Sequence, residues 1–282
     1  MHILKGYTKQ EISWMMYDWA NSAHSVIIVT LLPIFFDTVA GYTADSVSSM
    51  STWGYATSIA MLIVALAAPF LGVFGDIRGM RKKLFSFFML LGVAACAGMA
   101  FTPGMDFTSG PVAAGKVASL ILVLYIVSVI GFDASAIYYD AFLTDVTIED
   151  RMDKVSTMGY GLGYIGGSTI PLLIFLIMNL VGVPMLTCLA FVFGLTAVWW
   201  LAFSLPLLKN CEQTSGKPYE KGDVARSIKG VGTTIKEIIA NKPMLIYILS
   251  YFFYIDGVHT VISMATTYGT NLGLDSTGMM LA

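Results

Sequence analysis

Ionisable and amide side chains interrupt the apolar stretches of this chain at three places. In the first, Asp18, Asn21 and His24 follow one another at intervals of three residues, which places them along one side of a helix. Carboxyl and imidazole groups in a partly dehydrated site bind and release protons close to neutral pH. Opposed charges there can also hold the two ends of a zwitterion. The first stretch is therefore a candidate site for binding and protonation.

Two later apolar stretches carry the same residue types. Asp133 lies twelve residues before Asp145, a distance of about 18 Å along a helix, and Asp256 and His259 share a helix face. A structural hydrogen bond is the alternative explanation for each. Because polar groups inside a membrane are costly, we favour a polar cavity. The predicted solute or proton pathway comprises Asp18, Asn21, His24, Asp133, Asp256 and His259.

Long apolar helices must position these residues. The chain has 282 residues, of which 56% are hydrophobic, and its mean hydropathy is +0.75. A helix that spans a membrane needs ~20 mostly apolar residues. The sequence therefore predicts an all-α membrane protein with seven spans and an eighth that begins near residue 276. The predicted spans are 14–36, 50–74, 84–101, 117–140, 158–180, 184–205 and 243–268.

Basic residues fall almost entirely on one side of this arrangement. If the N-terminus shares a side with the loops after spans two, four and six, that side holds fifteen of the sixteen basic residues, and only Lys116 lies opposite. Lysine and arginine concentrate on the cytoplasmic side of membrane proteins. We therefore predict an integral, multi-pass protein of the lipid bilayer with a cytoplasmic N-terminus.

A short charged turn separates the second and third spans. Four basic residues lie within positions 78–83, in a chain in which 12% of the residues are charged. Spans joined by so short a turn form a tight antiparallel hairpin. We expect Gly72 and Gly75 to allow close backbone approach and Gly79 to permit the reversal.

The loop after the sixth span is long, polar and basic. Its apolar residues recur at intervals of four, three, four and three, which predicts one face of a helix. Basic residues occupy the other faces, so we expect a basic amphipathic helix on the cytoplasmic surface of the membrane. The apolar positions are Val224, Ile228, Val231, Ile235 and Ile238.

This loop divides the chain into three parts. We predict a six-helix transmembrane half over residues 1–206, a basic cytoplasmic linker over 207–242 and the incomplete start of a second half over 243–282. An internal repeat supports the division: residues 21–27 and 256–262 share the order polar, small, apolar, His, hydroxyl, Val, Ile. Such a match is expected when two parallel halves place their first helices in equivalent positions.

A glycine-rich stretch of the fifth span matches a nucleotide-binding pattern literally. Residues 161–166 read Gly-x-Gly-x-x-Gly, but no strand precedes them, so we reject a dinucleotide site. Gly159, Gly163 and Gly167 instead form a stripe of small residues, which favours close helix packing. Room for the helix to bend near Pro171 is the alternative.

Motifs for catalysis are missing from the sequence. It contains no HExxH, GxSxG, Walker or paired-cysteine pattern. We therefore predict neither an enzyme nor an ATP-driven pump, with no metal, no cofactor and no nucleic-acid partner.

The turn between spans two and three has the spacing Gly-x-x-x-Asp-x-x-Gly-x-Arg-Lys, which resembles the signature of major facilitator superfamily transporters. An ordinary basic loop is the alternative. Superfamily members often carry an acidic residue and an arginine after the fourth helix, as residues 145–151 do here, and the resemblance implies that these contact the hairpin and lock one conformation. A solvated charged loop is equally consistent. The implied gating residues are Gly72, Asp76, Arg78, Gly79, Arg81 and Arg151.

Three further strings sharpen the resemblance. Tyr-Asp-Trp-Ala-Asn-Ser at 17–22, Tyr-Asp-Ala-Phe-Leu-Thr-Asp at 139–145 and the glycines of 159–167 resemble the vacuolar amino-acid effluxer-like family of this superfamily. Its eukaryotic members are autophagy-related permeases. The resemblance implies a monomeric secondary active transporter that moves amino acids or peptides by alternating access, with protons as the coupling ion. The implied location is the inner membrane in a bacterium or the vacuolar membrane in a eukaryote.

Length is the main departure from that family, which has a second six-helix half. We expect this chain to be a fragment of the major facilitator fold, with the N-terminal six-helix bundle, helix seven and the start of helix eight. A membrane sensor or binding module that acts through the linker, without transport, is the alternative function.

Overall fold

The computed structural model describes residues 4–43, 48–218 and 222–274. Within these ranges every regular element is helical, and seven helical segments are long and apolar enough to span a membrane. This confirms the predicted all-α membrane fold. The seven segments are Lys9–Ala40, Ser49–Gly75, Arg81–Gly104, Pro111–Val146, Glu149–Leu180, Met185–Asn210 and Lys242–Gly269.

The fifth of these segments is composite, since a π-helical turn interrupts it. The helices are α1 (Lys9–Ala40), α2 (Ser49–Gly75), α3 (Arg81–Met99), α4 (Pro111–Val146), α5 (Glu149–Leu162), α6 (Thr169–Leu180), α7 (Met185–Asn210), α8 (Asp223–Ala240) and α9 (Lys242–Asn271), with a 3₁₀ turn at Thr102–Gly104 and the π-helical turn at Gly163–Ser168.

Helix α1 begins with a capping box. The Thr8 backbone N–H donates to the Glu11 carboxylate (2.7 Å), and the Glu11 N–H donates to the Thr8 hydroxyl (3.1 Å). Two free N–H groups at the helix start are thereby satisfied. From this start α1 runs through the middle of the bundle, where it contacts α4, α5, the π-helical turn, α6 and α7. The polar residues of α1 are consequently enclosed by several other helices.

Glycines set the closest helix contacts in the bundle. A Cβ atom on Gly131 of α4 would lie 2.5 Å from the backbone nitrogen of Gly92 of α3, and the Trp200 ring of α7 covers Gly92. Small residues allow helix backbones to approach in this way inside a membrane. Helices α3, α4 and α7 therefore form one tightly packed unit.

The glycine stripe of the fifth segment packs against α1, as the spacing predicts. Cβ atoms on Gly159, Gly163 and Gly167 would meet Asp18, Ser22 and the Trp19 carbonyl oxygen at 2.6, 2.6 and 2.5 Å respectively. Close packing is thus confirmed. The π-helical turn lies across the last two of these glycines, so the segment is also irregular where it touches α1.

The predicted linker helix is present as α8, and α9 follows it after a single residue. Val231 and Ile238 of the predicted apolar face are half-buried, whereas Ile235 is exposed. Val224 and Ile228 belong to α8, but their side chains lie outside the described part of the structure.

Candidate functional site

The three polar residues of α1 are all buried, and they face different neighbours. Asp18 and Asn21 are each 8% exposed and His24 is 3% exposed. Asp18 lies at the seam of α1 with α4 and α5, where it meets Gly159. His24 instead lies between α4 and α7. The residues share a helix side, as predicted, without sharing one cavity.

Asp18 is surrounded by aromatic side chains of the Tyr-Asp-Trp string and of α4. The Tyr139 hydroxyl approaches the Asp18 carboxyl. Neither the Asp18 Oδ2 atom nor that hydroxyl forms a well-aligned hydrogen bond with any described residue. The Trp14 ring stacks on Tyr139 at 4.3 Å, and its Nε1–H donates to the Tyr139 carbonyl oxygen (2.9 Å). Asp18 therefore has unused hydrogen-bonding capacity within a packed aromatic cluster.

Tyr17 belongs to the same aromatic cluster, although it was not among the predicted site residues. Its buried hydroxyl lies 2.8 Å from the Ser135 hydroxyl and accepts a longer bond from Trp200 Nε1 (3.4 Å). The Tyr17 ring packs against Tyr139 with centroids 4.8 Å apart. Tyr17 thus connects α1 to α4 and α7 beside the Asp18 carboxyl. The recurrence of tyrosine before aspartate at 17–18 and 139–140 was a sequence signal for this pairing.

His24 lies in an aromatic cage. Its ring packs against Phe132 (centroids 4.8 Å apart) and Trp200 (5.0 Å). Both imidazole nitrogens are buried, and neither has a hydrogen-bond partner among the described residues. The predicted open polar cavity is not what surrounds His24 in this structure, because large side chains of α4 and α7 fill the space.

Asp133 lies on α4 beside a second polar group. One carboxyl oxygen, Oδ2, is buried without a hydrogen-bond partner in the described residues. Tyr125 lies eight residues before Asp133 on α4, and the Tyr125 hydroxyl lies 3.0 Å from the Thr57 hydroxyl of α2. The Tyr125 ring packs against the Trp53 ring, with centroids 4.3 Å apart and the planes tilted by 31°. Tyr125 thereby joins this part of α4 to α2, whereas the aromatic cluster of Asp18 lies between α1 and α4.

A pocket lies between α2 and α9, next to the Thr57 hydroxyl that contacts Tyr125. Its volume is about 430 Å³, and Thr57 lies in its wall. Helix α9 closes the opposite wall, where Met264 lies 3.6 Å from the position of a Cβ on Gly54. The remaining lining is rich in hydroxyl groups and comprises Met50, Ser51, Tyr55, Ser58, Thr260 and Ser263.

Asp256 and His259 of α9 are exposed. No described contact joins them to Asp18 or Asp133, so the polar cavity expected of these residues stays a prediction. They are exposed because α9 packs on the outside of the bundle, against α1, α2 and α8, and leaves most of its surface free.

The hairpin between α2 and α3 forms the predicted network, and Arg81 is its centre. The Arg81 side chain, 5% exposed, forms an ion pair with Asp145 at the end of α4 and lies 3.8 Å from Asp76. It also donates to the Ala141 carbonyl oxygen (3.0 Å) and to the Ser215 hydroxyl (3.2 Å). The end of α4 is thereby joined to the hairpin, as the family resemblance implied.

Arg151 does not take part in that network. It donates to the Glu11 carboxylate through Nε and Nη2 (2.8 Å each) and to the Gly6 carbonyl oxygen (3.0 Å). Thr147 donates to the same carboxylate (2.7 Å). The capping box holds Glu11 at the start of α1, next to the start of α5, and so directs the arginine there. The predicted placement of Arg151 is corrected, and Glu11 is a partner that the prediction missed.

The remaining predicted hairpin residues differ in whether they pack closely against other parts of the bundle. Gly79 has φ +80°, the left-handed conformation that permits the reversal. Close approach is made by Gly75, whose Cβ would lie 2.9 Å from the Tyr138 ring. A Cβ on Gly72 would meet nothing within 4 Å, so the expectation for that glycine is wrong in the described structure. Arg78 is exposed and contributes its backbone N–H.

Seven apolar helices with buried carboxyls in α1 and α4 and a charged glycine turn after α2 define an integral, multi-pass membrane protein of the major facilitator type. The family described as "Vacuole effluxer Atg22 like" matches residues 7–147 and 144–281. The chain belongs to this family.

Relatives from bacteria and fungi agree with the assignment. The chain is 39% identical to "Uncharacterized MFS-type transporter YxiO" of Bacillus subtilis (strain 168), over 99% of this chain and 64% of that protein. It is 27% identical to "Autophagy-related protein 22-1" of Penicillium rubens over 49% of this chain, and 26% identical to the Sclerotinia sclerotiorum protein of the same name over 41%. The chain thus spans less than two thirds of the length of these relatives.

Proposed function

We propose that the complete protein is a secondary active transporter that moves a small polar solute across a membrane by alternating access. The observation that carries this proposal is the pair of carboxyls, Asp18 and Asp133, each with a buried oxygen that has no hydrogen bond among the described residues. Membership of a family of effluxers and the similarity to an MFS-type transporter support it.

The physical argument concerns cost. A carboxylate taken from water into a membrane without a partner is strongly disfavoured, so such a group persists where a ligand or a proton is bound during function. The paired charges at the cytoplasmic end satisfy each other and need no such explanation. Asp18 and Asp133 are therefore the best candidates for binding solute or protons, with Asn21 next to Asp18 on α1.

The same proposal includes the solute class, the coupling ion and the oligomeric state. We propose amino acids or short peptides as the solute class, because residues 17–22 and 139–145 resemble the vacuolar amino-acid effluxer-like family. We propose protons as the coupling ion, since both candidate groups are carboxyls. His24, Asp256 and His259 are secondary candidates that this conformation leaves apart from the two carboxyls. The protein would act as a monomer.

Location and domain organisation are also proposed. The bacterial relative and the basic residues support an inner membrane with the N-terminus in the cytoplasm. Residues 1–206 would form the first transmembrane half, 207–242 the linker and 243–282 the start of the second half. Asp76, Arg81 and Asp145 would gate the cytoplasmic side, with Gly79 as the turn.

The test is flux of labelled amino acids in sealed vesicles that contain the complete gene product, with and without a pH gradient. We expect Asp18→Asn and Asp133→Asn to abolish gradient-dependent flux, because the amide binds no proton at these pH values. Asp106→Asn is the matched control. Asp106 lies outside the membrane, where hydrogen bonds from Ser109 and Thr108 lower its pKa, and its variant should transport normally.

Each other outcome is informative. Equal flux in all variants would support transport but would contradict a coupling role for Asp18 and Asp133. Flux without gradient dependence would replace protons by another driving ion. No flux of any amino acid by folded protein would contradict the solute class and favour a sensor that acts through the linker.

A further inference from the structure

The first residues of the linker are fixed to the α2–α3 hairpin. We call residues 213–217 the linker strap. The Lys217 N–H donates to the Asp76 carbonyl oxygen (3.1 Å), and the Arg78 N–H donates to the Lys217 carbonyl oxygen (3.0 Å). These two bonds pair Lys217 with Ile77 as in a parallel sheet. The hairpin therefore holds the strap at this point by main-chain pairing, through one isolated parallel bridge.

Gln213 of the strap caps both helices of the hairpin. Its side-chain oxygen accepts from the N–H groups of Gly79 (2.8 Å) and Arg81 (3.3 Å), and its amide donates to the Gly75 carbonyl oxygen (3.0 Å). The N-cap residue of α3, Met80, makes no side-chain cap of its own. Helix ends need such partners, so the strap supplies what the hairpin sequence lacks.

Thr214 and Ser215 bind the buried carboxyl of Asp145. Its Oδ1 accepts the two backbone N–H groups (3.0 and 2.9 Å) and the two hydroxyls (2.9 and 2.8 Å). The other oxygen pairs with Arg81. Asp145 thereby joins the strap, the hairpin and α4 in one set of charge-assisted hydrogen bonds, which are stronger than neutral ones.

Gly216 allows the strap to lie this close. Its φ is +120°, and a Cβ there would lie 2.9 Å from the Asp76 carbonyl oxygen and 3.3 Å from the Arg78 Cα. A side chain at this position would be both strained and crowded.

From these contacts we propose that the cytoplasmic hairpin carries a docking site for an extended peptide, and that its occupant is the chain's own linker strap. A docked strap holds the hairpin against α4, and its release frees the turn that carries Asp76 and Arg81. The strap precedes α8, so movement of α8 is transmitted to the hairpin. Reversible docking of the linker strap would then control the movement of the α2–α3 hairpin, whatever solute the protein moves.

The native cysteine Cys211 can be used to measure whether the strap is docked. Cys211 lies two residues before the strap, its side chain is fully buried, and its Sγ lies 3.6 Å from the Gln10 carbonyl oxygen. Burial raises the pKa of the Cys211 thiol to about 12. A buried thiol reacts through transient opening, so its labelling rate measures the open population. The other cysteines, Cys96 and Cys188, are replaced by alanine as background.

The experiment measures maleimide labelling of Cys211 in detergent-solubilised, folded full chain. Gln213→Ala removes the cap. Gly216→Val keeps the Gln213, Asp145 and Arg81 side chains in the sequence but crowds the docked strap, because its Cβ would lie 2.8 Å from Gln213 Nε2 and 2.9 Å from the Asp76 carbonyl oxygen. We expect each variant to label at least roughly tenfold faster than the background protein, because release exposes Cys211. Glu212→Ala is the matched control, since Glu212 is exposed and makes no described contact; its rate should be unchanged.

Circular dichroism and gel filtration establish that each variant is folded. An unchanged labelling rate in either folded strap variant overturns the proposal. If Gln213→Ala does not fold, the labelling rate of Gly216→Val alone tests the proposal. Fast labelling in the Glu212→Ala control would also overturn it, because opening would then not depend on strap docking.

Discussion

The buried charges of this chain fall into two groups that differ in how they are paired. Arg81 with Asp145 and Arg151 with Glu11 form ion pairs at the end of the bundle that carries the α2–α3 hairpin. Asp18 and Asp133 lie within spans, and each keeps an oxygen without a hydrogen bond in the described residues. A paired charge stabilises one arrangement, whereas an unpaired one remains available to a ligand. The first group is therefore structural and the second is the candidate transport site.

Removing Arg81 should destabilise the protein strongly. Its side chain is 5% exposed and that of Asp145 is 0% exposed, so Arg81→Ala leaves a buried carboxylate that keeps its hydrogen bonds to the strap but loses its counter-charge, with an expected loss of about 3 kcal/mol. Arg78→Ala is the matched control, because Arg78 is exposed and contributes only its backbone N–H; we expect a change within about 0.5 kcal/mol. Denaturant unfolding in detergent measures both. Equal stability of the two variants would contradict the central role of Arg81.

At the scale of elements, the seam between α1 and the fifth span is the distinctive contact. The glycine stripe brings the two backbones together beside Asp18, and the π-helical turn Gly163–Ser168 lies in the same seam. Such turns leave a local irregularity in the backbone hydrogen bonds and are frequent at functional sites. The seam thus combines close packing with a place where the helix is not regular.

Two glycines of this span give opposite expectations for an added methyl group. A Cβ on Gly167 would lie 2.5 Å from the Trp19 carbonyl oxygen, whereas a Cβ on Gly161 meets nothing within 4 Å. We expect Gly167→Ala to cost about 1–3 kcal/mol by overpacking. Gly161→Ala should be neutral or stabilise the helix by about 0.5–1 kcal/mol. Thermal unfolding in detergent distinguishes the two variants. If Gly167→Ala were as stable as Gly161→Ala, close packing of α1 against the fifth span at Gly167 would be contradicted.

At the scale of the whole molecule, α1 is enclosed by other helices while α9 lies at the periphery. Large side chains of α9 remain exposed, among them Tyr251, Phe253 and Tyr254. An apolar surface of this kind is compatible with lipid or with further helices. The two ends of the molecule differ in charge, because the basic residues concentrate at the end that carries the hairpin and the linker. The ion pairs of Arg81 and Arg151 lie at the same end.

Charge asymmetry predicts the orientation of the whole molecule. Lys116 and Arg78 are both exposed and lie at opposite ends of the bundle. In a background without native cysteines, Lys116→Cys should react with an impermeant maleimide in intact cells. Arg78→Cys should react only after permeabilisation, because basic loops remain cytoplasmic. The reverse pattern of labelling would invert the proposed topology.

Local patterns in the sequence determined the elements. The spans follow from hydropathy, α8 follows from helical periodicity, and the packing role of Gly159, Gly163 and Gly167 follows from their spacing. Each depends on residues close together in the chain, and a membrane helix satisfies its own backbone hydrogen bonds. These features could therefore be predicted without knowing which helices are neighbours. The match between two turn residues, Asp76 and Arg81, and a known family signature was local as well.

Only the tertiary structure decided which distant residues meet. Arg151 pairs with Glu11, 140 positions away, and not with the hairpin. Gln213 caps a turn more than 130 positions earlier, and His24 is enclosed by rings of α4 and α7. Hydropathy contains no information about such partners, because they depend on helix order and rotation in the bundle. The physical reason is that a buried polar group takes whichever partner the packed helices bring within hydrogen-bonding distance.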